Sequence, residues 1–122
     1  MSYTLDTIRL LIAHDSQAEA EQLMNALRNA GKATRAELAL SEDDFIKALK
    51  SGTWELVLTR PSFGGCDYHA VLSHIHRLGK PVPVMVLVDE LEATSMREML
   101  EAGARVVVPA GDRELTMLLI ER

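Results

Sequence analysis

Apolar residues gather into short runs along this sequence, and the runs are separated by segments in which apolar positions recur at helical spacing. The first run, Ile8 to Ala13 (IRLLIA), ends at His14-Asp15 and suits a buried strand, being too short for a self-sufficient helix. Ser16 and Glu19 then form an S-x-x-E capping box, and Ala20, Leu23, Met24, Leu27 and Ala30 follow on one helical face until Gly31 supplies a terminator. Ala33 to Leu40 alternates small or apolar residues with Arg35 and Glu37, which predicts a less enclosed strand at a sheet edge. Ser41 and Asp44 repeat the capping pattern ahead of Phe45, Ala48 and Leu49, and Gly52 closes that short helix.

Trp54 to Thr59 (WELVLT) returns to strand composition, and Arg60-Pro61-Ser62-Phe63-Gly64-Gly65 is turn chemistry in which a functional loop could sit. Asp67 can cap a third helix carrying Ala70, Val71, Ile75 and Leu78, ended by Gly79 before Pro81 and Pro83 lead into the strand Val84 to Val88. Leu91 to Glu101 is helical, with Met96, Met99 and Leu100 on one side; Gly103 stops it before the strand Arg105 to Val108, and Asp112 opens a last helix. Five strands thus alternate with five helices, and the inner strands are apolar on both faces, as a parallel sheet covered on both sides requires. The expected fold class is α/β, a doubly wound three-layer domain spanning 8–122 behind a loose tail at 1–7. From Leu115 to Ile120 only Thr116 is polar, so the last helix looks apolar around most of its circumference and Met117 with Ile120 become candidates for an interface. The chain stops abruptly at Arg122, which suggests a piece of a longer multidomain protein.

Composition narrows the function classes. The 122 residues, 48% hydrophobic, suit one domain and leave no room for a second. Thirteen basic against 18 acidic side chains give a formal charge of -5, which does not recommend nucleic acid or an anionic membrane surface as a partner. The single cysteine, Cys66, cannot close an internal disulfide or build a thiolate metal cluster, and implies a reducing compartment. Apolar runs of six or seven residues are too short to span a bilayer, and no signal-type segment opens the chain, so a cytoplasmic location is expected.

The order of elements, with LLIAHDS after the first strand and WELVLTRPSFGGCD after the third, resembles the receiver (CheY-like) domain of bacterial response regulators over nearly the whole chain. The resemblance implies the flavodoxin-like (βα)5 fold with strand order 2-1-3-4-5. It also implies a chemistry, phosphoryl transfer from a histidine kinase to an aspartate ending the third strand, assisted by magnesium. Carried over residue by residue, the acidic pair of the family falls on His14 and Asp15, the phosphoacceptor on Arg60, the hydroxyl position on Val88 and the lysine position on Ala110 or, with a gap, Pro109. The aromatic position of the fifth strand falls on Val107. Only Asp15 survives of that constellation, so the resemblance is to a degenerate receiver: not an enzyme, with no catalytic residue, no metal and no cofactor. A guanidinium is always protonated, has no nucleophilic oxygen and repels a magnesium ion, so phosphorylation at Arg60 is chemically impossible. TIRLLIAHDSQAEAEQLMNALRNAGKATRA is similar to the N-terminal receiver-like domain of FimX-type GGDEF/EAL proteins, which respond to cyclic di-GMP and act in type IV pilus twitching motility. That likeness implies cyclic di-GMP binding elsewhere in a longer protein, not in this segment, and the cell pole as a location.

Two readings of Arg60 follow: it reaches across the vacated pocket to Asp15 in a bidentate pair, or it snorkels into water while Asp15 caps the next helix. His69, His74 and His76 lack the spacing of a helical zinc pair and are expected to face solvent. His14 could accept a phosphoryl group or sense pH, or merely end a strand. Gly64-Gly65 lacks the spacing of any nucleotide loop, Cys66 sits beside Asp67 rather than a cation, and Ser62 has no triad. Met96, Met99, Met117 and Ile120 form the candidate dimer interface, on the face that receivers often use to dimerise. The sequence therefore favours a pseudo-receiver acting as a phosphorylation-independent interaction, dimerisation or localisation module, with a protein partner or a second copy of itself. A receiver using another acceptor, with Asp15 the least unsuitable, and a small-ligand sensor on the same fold are the alternatives.

Overall fold

In a computed structural model, which describes residues 8–29, 34–79 and 81–121, the apolar runs become the strands of one sheet. The elements in chain order are β1 (Ile8–Ala13), α1 (Gln17–Asn29), β2 (Thr34–Ala39), α2 (Glu42–Ser51), β3 (Leu56–Thr59), β4 (Ser62–Phe63), β5 (Cys66–Asp67), α3 (Tyr68–Arg77), β6 (Val84–Val88), α4 (Ala93–Ala102), β7 (Val106–Pro109) and α5 (Arg113–Glu121). The main sheet runs β2-β1-β3-β6-β7, all pairs parallel, which is the expected 2-1-3-4-5 order once the small β4-β5 hairpin is set aside. β2 lies at an edge, as its alternating composition predicts. The tail at 1–7, the helix terminator Gly31 with Ala30, and Arg122 lie outside the described residues.

Strand alternation sorts the core into two layers. Leu11 and Ala13 of β1 turn toward Phe45, Leu49, Val71, Ile75 and Met99 of α2, α3 and α4. Leu10 and Ile12 turn the other way, toward Ala20, Leu23 and Leu27 of α1 and Ile120 of α5. Helices on both faces make the three-layer, doubly wound arrangement. No helix among the described residues is long and apolar enough to cross a membrane.

The helix starts follow the expected caps. Ser41 Oγ accepts from Asp44 N–H at 3.1 Å, Asp67 accepts from His69 and Ala70 N–H, and Asp112 accepts from Leu115 N–H. α4 begins later than the sequence suggests, at Ala93, because Glu92 takes the capping position and accepts from the Thr94 and Ser95 amides. The Gly64-Gly65 turn closes a real hairpin. Both glycines have positive φ, 51° and 86°, as a two-residue hairpin loop of the I′ type requires.

The candidate dimer interface needs correcting. Ile120 is 5% and Met99 6% exposed, both in the core, while Met96 and Met117 are partly buried against it. The misleading residue is Thr116. Its hydroxyl donates to the Asp112 carbonyl at 3.1 Å, so a polar side chain sits buried on the core stripe, one turn before Ile120. On and just ahead of α4 and α5 the outward large apolar residues are Leu118, Leu100 and Leu91, and elsewhere among the described residues Leu40 and Leu78 are also exposed.

Candidate functional site

Parallel strands finish at one edge of the sheet, and the residues singled out from the sequence follow those strand ends. His14 N–H donates to the Ala39 carbonyl and Arg60 N–H to the Ala13 carbonyl, both at 3.1 Å, which sets His14 and Arg60 side by side past β1 and β3. Ala110 N–H donates to the Val88 carbonyl at 2.7 Å, fixing the second pair past β6 and β7. The sheet therefore brings His14, Asp15, Arg60, Val88 and Ala110 to one edge, at or just past the ends of neighbouring strands.

Arg60 is mostly buried, and it does not meet Asp15. Its Nη1 donates to the Leu87 carbonyl and its Nη2 to Asp89 Oδ1, each at 2.8 Å. Both expectations for this side chain are thus corrected, since it neither pairs with Asp15 nor extends into water. Asp15 stays 60% exposed on its side chain, and Ser16 rather than Asp15 caps α1, accepting from Glu19 N–H at 3.2 Å. Asp89 is a site residue missed from the sequence. Its signal was an acidic side chain directly after a strand that ends at this same edge.

His14 is buried, and its Nδ1 accepts from Ser16 N–H at 2.9 Å. Asp15 Oδ1 lies 3.3 Å from the same nitrogen, yet a nitrogen whose lone pair is already engaged has no proton to give it. The neutral imidazole fits this geometry. Burial pushes the His14 pKa down, the Arg60 cation pushes the same way, and Asp15 and Glu19 only partly oppose them. In a full capping box the Glu19 carboxylate would reach back to the Ser16 N–H; here the imidazole occupies that donor, so half of the box is replaced.

At the same edge an open groove of about 450 Å³ is lined by Asp15 and the hairpin from Ser62 to Asp67. Cys66 sits in it, its thiol pKa raised by burial and then by the Glu42 and Asp67 carboxylates. His74 departs from the solvent-facing expectation: its ring lies half-buried near Phe45, with Nε2 at 2.8 Å from Glu42 Oε2, tying α3 to α2. His69 and His76 are exposed as expected.

Comparison with protein-family models gives no match, and comparison with curated proteins gives none. Solved structures do match. The receiver domain of a Francisella response regulator aligns with a TM-score of 0.83 at 12% identity, covering 94% of each chain. A two-component response regulator from Clostridium difficile gives 0.83 at 16%, covering 94% of this chain and 93% of its own. The fold is that of a receiver domain. A third receiver, from a sensor histidine kinase of Pseudomonas aeruginosa, aligns at 0.78 and 15% over 95% of this chain and 96% of its own, and carries magnesium in its active-site cleft.

The residues this chain offers do not fit such an ion. Among the described residues no three His, Cys, Asp or Glu side chains form a metal-holding group. At the strand ends of this receiver fold the carboxylates are Asp15 and Asp89, of which Asp89 is paired with the fixed positive charge of Arg60, and the His14 Nδ1 lone pair is engaged by Ser16. Among the described residues these side chains do not make an octahedral oxygen donor set.

Proposed function

We propose that this chain is a degenerate receiver, working as a phosphorylation-independent module for interaction, dimerisation or localisation within a bacterial signalling protein. The observation that carries the reading is Arg60. Its guanidinium stands at the end of β3, the slot that the receiver likeness gives to the phosphoacceptor, and is tied by two short bonds to Leu87 and Asp89. The proposal extends to FimX-type proteins, on the strength of the N-terminal sequence likeness. In that setting the domain is cytoplasmic and polar, supports type IV pilus twitching motility, and leaves cyclic di-GMP to other parts of a longer chain.

Intact mass after incubation with acetyl phosphate and magnesium tests it. The expected result is an unchanged mass, and a stable gain of one phosphoryl group overturns it. A second reading, a receiver with another acceptor, draws support from the exposure of the Asp15 carboxylate. It requires that mass gain in the parent chain and its loss in D15N.

A further inference from the structure

We infer that Arg60 is a permanent latch on the segment joining β6 to α4, holding in one arrangement a junction that phosphorylation does not reach. The β3–β6 ladder stops at the pairing of Thr59 with Val86. Successive carbonyls of a strand point to opposite neighbours, and Val88 uses its own toward β7, where it accepts from Ala110. The Leu87 carbonyl therefore turns toward β3, past the last backbone rung. Arg60 Nη1 fills that place at 2.8 Å, so a side chain completes the ladder.

The same guanidinium then holds Asp89 through Nη2, two residues further along, where the chain leaves the sheet for α4. The two arms differ in strength. The Arg60 side chain is 15% exposed and Leu87 4%, so the carbonyl arm is shielded, whereas Asp89 is 86% exposed and its ion pair is open to salt. A guanidinium carries a fixed charge, so both arms keep a cationic donor. Leu91, a half-exposed apolar residue two positions past Asp89, is thereby held at the surface in a fixed place.

This inference deepens the proposed function and rests on it for its meaning, but the two are measured separately: mass reads phosphorylation, and backbone relaxation reads the latch. The test is ¹⁵N relaxation on the full chain as wild type, R60M and D89N. Order parameters at positions 89–91 are expected near the rigid value of about 0.85 in the wild type and below about 0.6 in R60M. D89N, which keeps the Leu87 arm, is expected to fall by a smaller amount. Wild-type values already below about 0.6, or unchanged values in R60M, overturn the latch. Should far-UV circular dichroism show that R60M does not fold, D89N decides alone, because its exposed carboxylate can be changed without touching the core; unchanged values at 89–91 then overturn the latch.

Discussion

His14 is where one side chain makes the chain sensitive to pH. Its folded pKa lies below the usual 6.5, so between the two values the unfolded chain binds more protons than the folded one. The stabilising contribution is complete above about 6.5 and is lost as pH falls toward the depressed folded value. The urea midpoint is expected to drop between pH 7.5 and pH 5.5. H14N, whose amide oxygen can take the Ser16 N–H, should flatten that drop while keeping the cap; an equal drop in both chains would assign the slope to other groups. Arg60 permits a second test at this scale. R60D restores a carboxylate at the end of β3, but the remaining positions still hold His14, Val88 and Ala110. Incubation of R60D with acetyl phosphate and magnesium is expected to leave its mass unchanged, and a phosphoryl adduct would show that the single arginine is what blocks the chemistry.

Among the elements, the β4-β5 hairpin makes the sharpest demand on sequence. A Cβ on Gly64 would stand 2.5 Å from the Leu40 carbonyl oxygen and 2.7 Å from Ser41 Cα, with φ at +51°, so this glycine lets the hairpin tip close onto the start of α2. Gly65 also has positive φ but faces open space. G64A is expected to cost more than about 2 kcal/mol in urea unfolding, and G65A about 1 kcal/mol. Equal costs would mean that the close approach relaxes freely. The hairpin also marks a limit of legibility: two-residue strands carry no hydrophobic period, and only the Gly-Gly pair announces the turn. The five long strands are legible because they are apolar runs of the right length, and the helix starts because Ser16, Ser41, Asp67 and Asp112 announce them. Thr116 marks the opposite failure. Its buried hydroxyl is satisfied by its own helix, a local bond that a hydrophobic pattern cannot show, and it turns an amphipathic α5 into one that looks apolar all round.

For the whole molecule, legibility divides in the same way at the site. The sheet order predicts that His14, Arg60, Val88 and Ala110 lie at one edge of the sheet, and the strand registers put them there. The partner of Arg60 is invisible to that reasoning, because Leu87 and Asp89 are 27 and 29 residues away and only the ladder's end decides which acceptor lies within reach. Burial redraws the outer surface as well. I120A is expected to cost about 2–5 kcal/mol in denaturation and L118A within about 0.5 kcal/mol, and the reverse order would place Ile120 outside the core. If the proposed self-association uses the exposed Leu91, Leu100 and Leu118, L100E/L118E is expected to halve the solution mass of a wild-type dimer. Equal masses for the two chains would remove this face. The side-chain rung between β3 and β6 also constrains what position 60 can hold. Any change that places an aspartate at position 60 strips the Leu87 carbonyl of its donor, and a buried acceptor left bare costs about 1–3 kcal/mol. An acidic residue at position 60 is thus opposed by the fold itself, before any chemistry it could bring is considered.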